Sequence, residues 1–399
     1  MFLARLLVLF SLVCISCAHS SFEQKQLKHA LDFATSNRLE LEILLQHYTY
    51  DSLKLEAAKF LIRNMPHCYS YQQGGEMDSV KRVRTYYSPF GQIDQTYARR
   101  WGHYTYRNLP KIYDAHIITA EYLIDNIDRA FDNWQKRPWN RSLSFEDFCE
   151  YLLPYRIGDE PLEEWRELYE KKYGYLLDSI YKGSDVVEAA NLVSRHLQEP
   201  VFIYCEDFEL PHIGPRYLFS NRYGSCVDAA DIVTYAFRAV GIPCMEDTDA
   251  RGGHVWNVVR DTTGRDVPIW YIASEAVRGS RDTGGYKRGK VYRPMYGFQE
   301  EKAAHLGDDW KSMPLLFYPP YMKDVRYAYY RETLRIVTGS ADDEVCYLAH
   351  FHEAHWWSCA CARSASGKME IPNLESELVY LPMKYTKGKY YPSGFQFLF

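Results

Sequence analysis

The stretch NRYGSCVDAADIVTYAFRAVGIPCMEDTDARGGHVWNVV, residues 221–259, decides the fold of this chain. Its first part carries apolar residues at helical spacing from Val233 to Val240, followed by Gly241 and then a proline. Apolar residues that recur every three or four positions form one face of a helix, and glycine followed by proline is a common helix end. The pattern therefore predicts a helix with Cys226 at or next to its N-terminus.

A cysteine at a helix start occupies a chemically distinctive position. The first backbone N–H groups of a helix have no partner within the helix, and the helix dipole places positive charge there. Both effects favour a thiolate and lower the pKa of a thiol. The same N–H groups are able to hold an oxyanion. Cys226 is therefore a candidate nucleophile.

The second part of the stretch predicts a β-hairpin. Two glycines at 252–253 allow a tight turn before His254, and residues 255–259 are rich in valine, as a strand requires. A turn at 261–264 leads to a return strand over residues 267–272. A cysteine at a helix start that faces a histidine on a sheet is the arrangement of thiol catalysis, in which the imidazole takes and returns a proton.

Each residue alone also has a structural interpretation, as a small core cysteine and a turn histidine. Together, GSCVDAADIVTYAFRAVGIPC and the later GGHVWNVV resemble the transglutaminase-like core, whose signature is G-x-C, a helix ending in R-x-x-G-I-P, and then G-H-x-W-N. The resemblance covers roughly residues 185–280. It implies an α+β fold with a transglutaminase/papain-like core, with Cys226 as nucleophile and His254 as base. It requires no cofactor and no metal.

The family places its third catalytic residue, an Asp that orients the imidazole, on the strand after the histidine. Aligning VPIW with the family pattern puts Trp270 at that place. Asp266 is a poor substitute. If the hairpin turns at 262–263, Asp266 pairs near Val259, roughly 16 Å from His254 at about 3.3 Å per residue.

Residues 271–273 are expected to lie opposite His254, so Ser274 or Glu275 at the strand end would reach the imidazole. We predict Glu275 as the orienting residue. The alternatives are that Glu275 is a solvated loop residue, that the site is a dyad, or that the third partner comes from elsewhere. His212, in a loop before the cysteine, is a weaker second candidate for the base.

The chain begins with a predicted targeting segment. An apolar run from Leu6 to Ile15 follows a single arginine, which is typical of a signal peptide. The end of this segment, residues 1–17, resembles a bacterial lipobox with Cys17 as the lipidated residue, although Cys14 stands where leucine is usual. We therefore expect an exported lipoprotein at the periplasm or outer membrane. Ordinary cleavage to a soluble periplasmic or secreted protein is the alternative.

Composition places limits on the kind of protein. The chain has 399 residues and a net charge of −5, which suits two or three domains and gives no indication of nucleic-acid binding. Aromatic residues make up 16% and would suit contact with sugars or peptides as well as a core. Among the ten cysteines, no spacing identifies a disulfide or a metal motif.

Three regions are expected after the signal peptide. Residues 22–180 show helical periodicity, residues 181–312 hold the core, and residues 313–399 read as short antiparallel strands of an accessory β-region. LPYRIGDEPLEEWR at the end of the first region resembles a segment upstream of the core in bacterial exported transglutaminase-like proteins. In it, Tyr155 and Arg156 either line the cleft or lock the helical region onto the core.

The sequence thus supports several hypotheses on function. The first is thiol-dependent acyl transfer on an amide or peptide bond of a peptide, protein or glycopeptide, with water or an amine as the acceptor. Hydrolysis is favoured, because no second substrate site is evident. The second is a catalytically degenerate fold that binds a peptide or glycan. A third is a structural surface lipoprotein with a vestigial Cys–His pair.

Overall fold

The structure, a computed structural model, describes residues 22–87, 92–101, 103–205, 208–250, 253–270, 275–280, 287–300, 303, 311–314, 317, 320–329, 333–337, 343–352 and 354–399. The predicted signal peptide with Cys17 lies outside these residues, as does Ser274.

Helices dominate the first half of the chain, as the spacing of its apolar residues predicts. Side chains cap several of them: the carboxylate of Asp51 accepts the N–H of Lys54, and that of Asp185 accepts the N–H of Val187. In chain order the helices are α1 (22–33), α2 (Arg38–His47), α3 (Ser52–Asn64), α4 (Gly75–Val83), α5 (Gln95–Trp101), α6 (Ala120–Lys136), α7 (Phe145–Tyr151), α8 (Arg166–Tyr175), α9 (Val186–Leu197), α10 (Pro215–Ser220) and α11 (Cys226–Ala239).

Strands are concentrated in the second half. They are β1 (Tyr69–Tyr71), β2 (Lys111–Tyr113), β3 (Ile203–Tyr204), β4 (Tyr223–Gly224), β5 (Cys244–Asp249), β6 (Val255–Arg260), β7 (Asp266–Ile269), β8 (Val291–Pro294), β9 (Met322–Asp324), β10 (Leu334–Val337), β11 (Val345–His352), β12 (His355–Arg363), β13 (Lys368–Ile371), β14 (Val379–Thr386), β15 (Lys389–Pro392) and β16 (Phe397–Leu398). The mixture of helix and sheet confirms the predicted α+β class.

The central sheet carries the strand that follows His254. Its strand order is β7–β6–β5–β8–β9, and all four pairings are antiparallel. Helix α11 packs against this sheet, because apolar side chains of α9, α11 and strands β5 to β7 form one buried cluster. A second cluster holds the N-terminal helices together. A third lies in the C-terminal region, where β12, β11, β14 and β15 form an antiparallel sheet.

Three boundaries differ from the predictions. Pro161 and the residues after it predict a helix over 162–173, but α8 begins at Arg166. Residues 161–165 have no regular secondary structure, and the Trp165 indole N–H donates to the carbonyl of Tyr155 at 2.9 Å. Residues 324–327 read as one of the short strands expected after residue 312, but Arg326–Ala328 form a 3-10 helix. Strand β9 completes the central sheet, so that sheet extends past residue 312 into the region predicted to be accessory.

No helix in the described part of the chain combines the length and apolar character that a membrane span requires.

Candidate active site

Cys226 is the first residue of α11, as predicted, and only 5% of it is exposed. Its thiol donates to the carbonyl oxygen of Gly253, with 3.9 Å between Sγ and the oxygen. Gly253 is the residue before His254, so the structure brings the helix start and the strand start together. Helix α11 ends as predicted, with Gly241 at φ 81° and the N–H of Ile242 bonded to the carbonyl of Phe237 at 2.8 Å.

Strand β5 holds the backbone that presents His254. The carbonyl of His254 accepts the N–H of Asp249 at 3.1 Å and the hydroxyl of Thr248 at 3.2 Å. The Asp249 carboxylate in turn accepts the N–H of Gly253 at 3.0 Å. These bonds hold the backbone of Gly253 and His254 against β5, while the His254 side chain remains half-buried.

Asn257 ties the histidine strand to the cysteine helix. Its side-chain amide donates to the carbonyl of Ala230 at 3.0 Å and to the hydroxyl of Thr234 at 2.9 Å. Ala230 lies one turn beyond Cys226, and Asn257 lies three residues beyond His254. The bond therefore sets the register between the two elements that carry the candidate nucleophile and base. The motif includes this asparagine, but sequence reasoning assigned it no role.

An ion pair from the N-terminal region fixes the start of α11. The Asp228 carboxylate accepts the N–H of Ser225 at 2.8 Å, and Nη1 of Arg84 lies 2.8 Å from the same oxygen. Both charged side chains are 4% exposed. Gly224 is needed beside them, since a Cβ there would lie 2.3 Å from the Asp228 carboxylate. Arg84 gave no signal in the sequence, because it lies far from Asp228 along the chain.

Trp270 contacts the imidazole of His254. The two ring centroids are 4.6 Å apart and the rings are inclined by 78°. A tryptophan thus occupies the place at which the family pattern has an Asp. Trp256 also lies beside the imidazole, with centroids 5.6 Å apart and rings inclined by 30°.

Asp266 is remote from the histidine, as expected. It pairs with Arg260 in the hairpin, one position from the predicted pairing near Val259. Its carboxylate binds Arg260 at 3.1 Å and Arg293 at 2.7 Å, and it accepts the hydroxyl of Tyr151 at 2.9 Å. Asp266 therefore belongs to a structural network. Residues 271–273, which we expected opposite His254, lie outside the described residues.

Glu275 is joined to Arg195. Its carboxylate forms an ion pair with the guanidinium of that α9 residue, and the two side chains are 54% and 53% exposed. The pair borders a surface hollow next to Tyr181 and Asn191. The geometry thus corresponds to the alternative of a solvated loop residue and gives no support to Glu275 as the orienting residue.

His212, the second candidate base, is bound to a buried acid. Its Nδ1 lies 2.9 Å from the Asp231 carboxylate, and its ring packs so closely on Gly158 that a Cβ there would lie 2.3 Å from Nε2. Burial disfavours the charged imidazole, but the charge and hydrogen bond of Asp231 outweigh burial and hold the pKa of His212 well above its usual value. The imidazole of His212 is thus engaged by Asp231 and packed against Gly158, so His254 remains the candidate base.

Tyr155 and Arg156 lock the helical region onto the core. Both are buried, and the Arg156 guanidinium binds the buried carboxylate of Asp114. The Tyr155 hydroxyl donates to the same carboxylate at 3.0 Å. The carbonyl of Arg156 in turn accepts Nη1 of Arg238, a residue of α11, at 3.3 Å. Of the two alternatives, these contacts support the one in which Tyr155 and Arg156 join the helical region to the core.

No disulfide joins two of the described cysteines. Burial raises the pKa of Cys68, Cys244 and Cys359 to about 12 and raises that of Cys149 as well. These thiols will therefore react slowly at neutral pH. Among the described residues, no group of three or more potential metal ligands occurs.

No known family, curated protein or solved structure matches this chain.

Proposed function

We propose that the chain is a cysteine-dependent hydrolase or acyltransferase with a transglutaminase-like core, acting on an amide or peptide bond. The observation that carries the proposal is the position of Cys226. This residue begins α11, and its Sγ lies 3.9 Å from the carbonyl oxygen of Gly253, the residue before His254. A nucleophile at a helix start next to a histidine is the arrangement that thiol catalysis requires.

The proposed reaction has two steps. Sγ of Cys226 attacks the carbonyl carbon of the amide while His254 takes the thiol proton, and N–H groups of the first helical turn stabilise the oxyanion. The C–N bond then breaks, and His254 gives the proton to the departing amine. In the second step His254 takes a proton from the acceptor, which attacks the thioester and releases the thiol. Water as acceptor gives hydrolysis, and an amine gives transamidation.

The test uses p-nitrophenyl acetate, an acyl donor that needs no specific pocket. We expect a burst of nitrophenolate and an acetyl group on the peptide that contains Cys226, detected by mass spectrometry. Cys226→Ala and His254→Ala should lose the burst, whereas Cys361→Ala, which removes the half-buried cysteine of β12, should keep it. Adding methylamine then separates the two acceptors, because N-methylacetamide forms faster than in the Cys226→Ala control only if the thioester accepts an amine. Absence of a burst, or equal acetylation of other cysteines, would refute the proposal.

A second candidate function is binding of a peptide or glycan without catalysis. Trp270 in place of an Asp favours it, as do the exposed aromatic side chains Phe351 and Trp357 on the hairpin of β11 and β12. An inert Cys226 thiol together with saturable binding of peptidoglycan fragments would establish this function. Export and lipid attachment at Cys17 remain predictions.

A further inference from the structure

We propose that an aromatic clamp, formed by Trp256 and Trp270, positions the imidazole of His254, and that Tyr329 from the C-terminal part of the chain locks it. This inference rests on the proposed function. It assigns positioning roles to three residues, one of them far from the motif in sequence.

Trp256 lies on β6, and Trp270 directly follows the neighbouring strand β7. Asn257 pairs with Ile269, so continuing that register by one residue brings Trp256 and Trp270 opposite each other. Side chains alternate between the faces of a strand, so Trp256 and Asn257 lie on opposite faces, and Asn257 points to α11. His254 lies one residue before β6, and its imidazole contacts both indole rings, with ring centroids 5.6 Å from Trp256 and 4.6 Å from Trp270. These contacts restrict the rotamers available to His254.

One ring of the clamp is held by a buried chain of hydrogen bonds. The indole N–H of Trp256 donates to the Tyr329 hydroxyl at 2.9 Å, and that hydroxyl donates to the Asp247 carboxylate at 2.8 Å. The same carboxylate accepts two bonds from Arg293, at 2.6 and 3.0 Å. Trp256 and Asp247 have no exposed surface, and Arg293 and Tyr329 have almost none.

These contacts connect three segments to the histidine. Asp247 lies on β5, Arg293 lies on β8, and Tyr329 follows β9. The guanidinium of Arg288 also lies over the Trp256 ring, 4.9 Å from its centroid. A side chain held by packing and by hydrogen-bonded neighbours loses little freedom when it reacts, which is the basis of preorganisation. The C-terminal part of the chain would therefore support the site as well as the fold.

The experiment compares Trp270→Phe, Trp270→Ala and Tyr329→Phe with Trp357→Ala as the control. The control removes a partly exposed tryptophan from a different sheet. The first measurement is the NMR spectrum of selectively labelled histidine side chains, with His254 assigned by its loss in His254→Ala. An imidazole between two indoles has ring-current-shifted resonances. We expect Trp270→Ala to remove much of that shift, whereas Trp270→Phe should keep part of it and the control all of it.

The second measurement is the rate of iodoacetamide labelling at Cys226. We expect about a tenfold loss in Trp270→Ala, near-normal labelling in Trp270→Phe and an intermediate loss in Tyr329→Phe. Tyr329→Phe removes one hydroxyl and leaves the ring, so it tests the lock even if Trp270→Ala fails to fold. Unchanged His254 resonances in Trp270→Ala, or normal labelling in both Trp270→Ala and Tyr329→Phe, would overturn the clamp. Failure of the proposed function would instead appear as an inert Cys226 in the wild-type protein.

Discussion

The surroundings of His254 distinguish this site from the family pattern it resembles. Asp266 is held by Arg260 and Arg293, and Glu275 is held by Arg195. Both acids are engaged in ion pairs, whereas the ring of Trp270 lies 4.6 Å from the imidazole. At the scale of single residues, the Cys226–His254 pair stays a prediction, and the ion pair with Arg195 gives Glu275 a role other than the predicted one.

Replacing Glu275 with Gln tests this difference. We expect the rate and pH dependence of Cys226 labelling to stay at wild-type values. The free energy of unfolding should change by less than about 1 kcal/mol, since exposed ion pairs contribute little. Arg195→Gln is the matched control, because it breaks the same pair from the other side and should give the same result. A tenfold slower labelling in Glu275→Gln alone would restore Glu275 as an orienting residue.

At the scale of elements, the start of α11 depends on a side chain from the N-terminal region. The guanidinium of Arg84 compensates the buried carboxylate of Asp228, two residues beyond Cys226. Arg84→Met would leave that negative charge unpaired. Breaking a buried pair from one side typically destabilises a protein by about 3–5 kcal/mol. We expect a loss of that size in chemical denaturation, together with slower labelling of Cys226, because an uncompensated carboxylate disfavours a thiolate.

The double variant Arg84→Met with Asp228→Asn separates charge from packing. It removes both charges and keeps a side chain that is able to accept the N–H of Ser225. We expect it to recover part of the stability and of the labelling rate that Arg84→Met loses. If the double variant were as unstable as the sum of the two single variants, the account of α11 as held by a compensated charge would be wrong.

Local patterns allowed α11 and the β6–β7 hairpin to be predicted, because helix spacing, glycines and turn residues act over a few positions. Contacts between distant residues were not predictable. Arg84 reaches Asp228, His212 reaches Asp231, and Tyr329 reaches Trp256 across long stretches of chain. The register of the hairpin was off by one residue, since the turn length sets it and the sequence allowed more than one turn. The start of α8 also differs from the prediction, because the Trp165 indole is bonded to the carbonyl of Tyr155 and the helix begins after it.

At the scale of the whole molecule, His67 joins the N-terminal helices to the core. It follows α3, and its ring stacks on Tyr321 with centroids 3.6 Å apart and meets Tyr296 edge-on. Burial lowers the pKa of His67 to about 3. Its neutral form is therefore the one that the folded state accommodates.

This shift predicts a pH dependence of stability. Below the ordinary histidine pKa of about 6.5, His67 is protonated in the unfolded chain but stays neutral in the folded state. The free energy of unfolding therefore decreases as the pH falls below about 6.5. For a half-buried group we expect about 2 kcal/mol between pH 7 and pH 4.5. His67→Phe keeps the stacking and removes the titrating group. Between pH 7 and pH 4.5, its free energy of unfolding should therefore decrease by about 2 kcal/mol less than that of the wild type. Parallel pH curves for the two proteins would contradict this account.

The central claim is that Cys226 and His254 form an activated pair. The most direct measurement is the rate of iodoacetamide labelling at Cys226 between pH 5 and pH 10, in the wild type and in His254→Ala, with modified peptides identified by mass spectrometry. We expect wild-type labelling to persist well below the free-thiol pKa of about 8.5 and to weaken in the variant. Slow labelling that His254→Ala leaves unchanged would contradict the claim and leave the core as a binding fold.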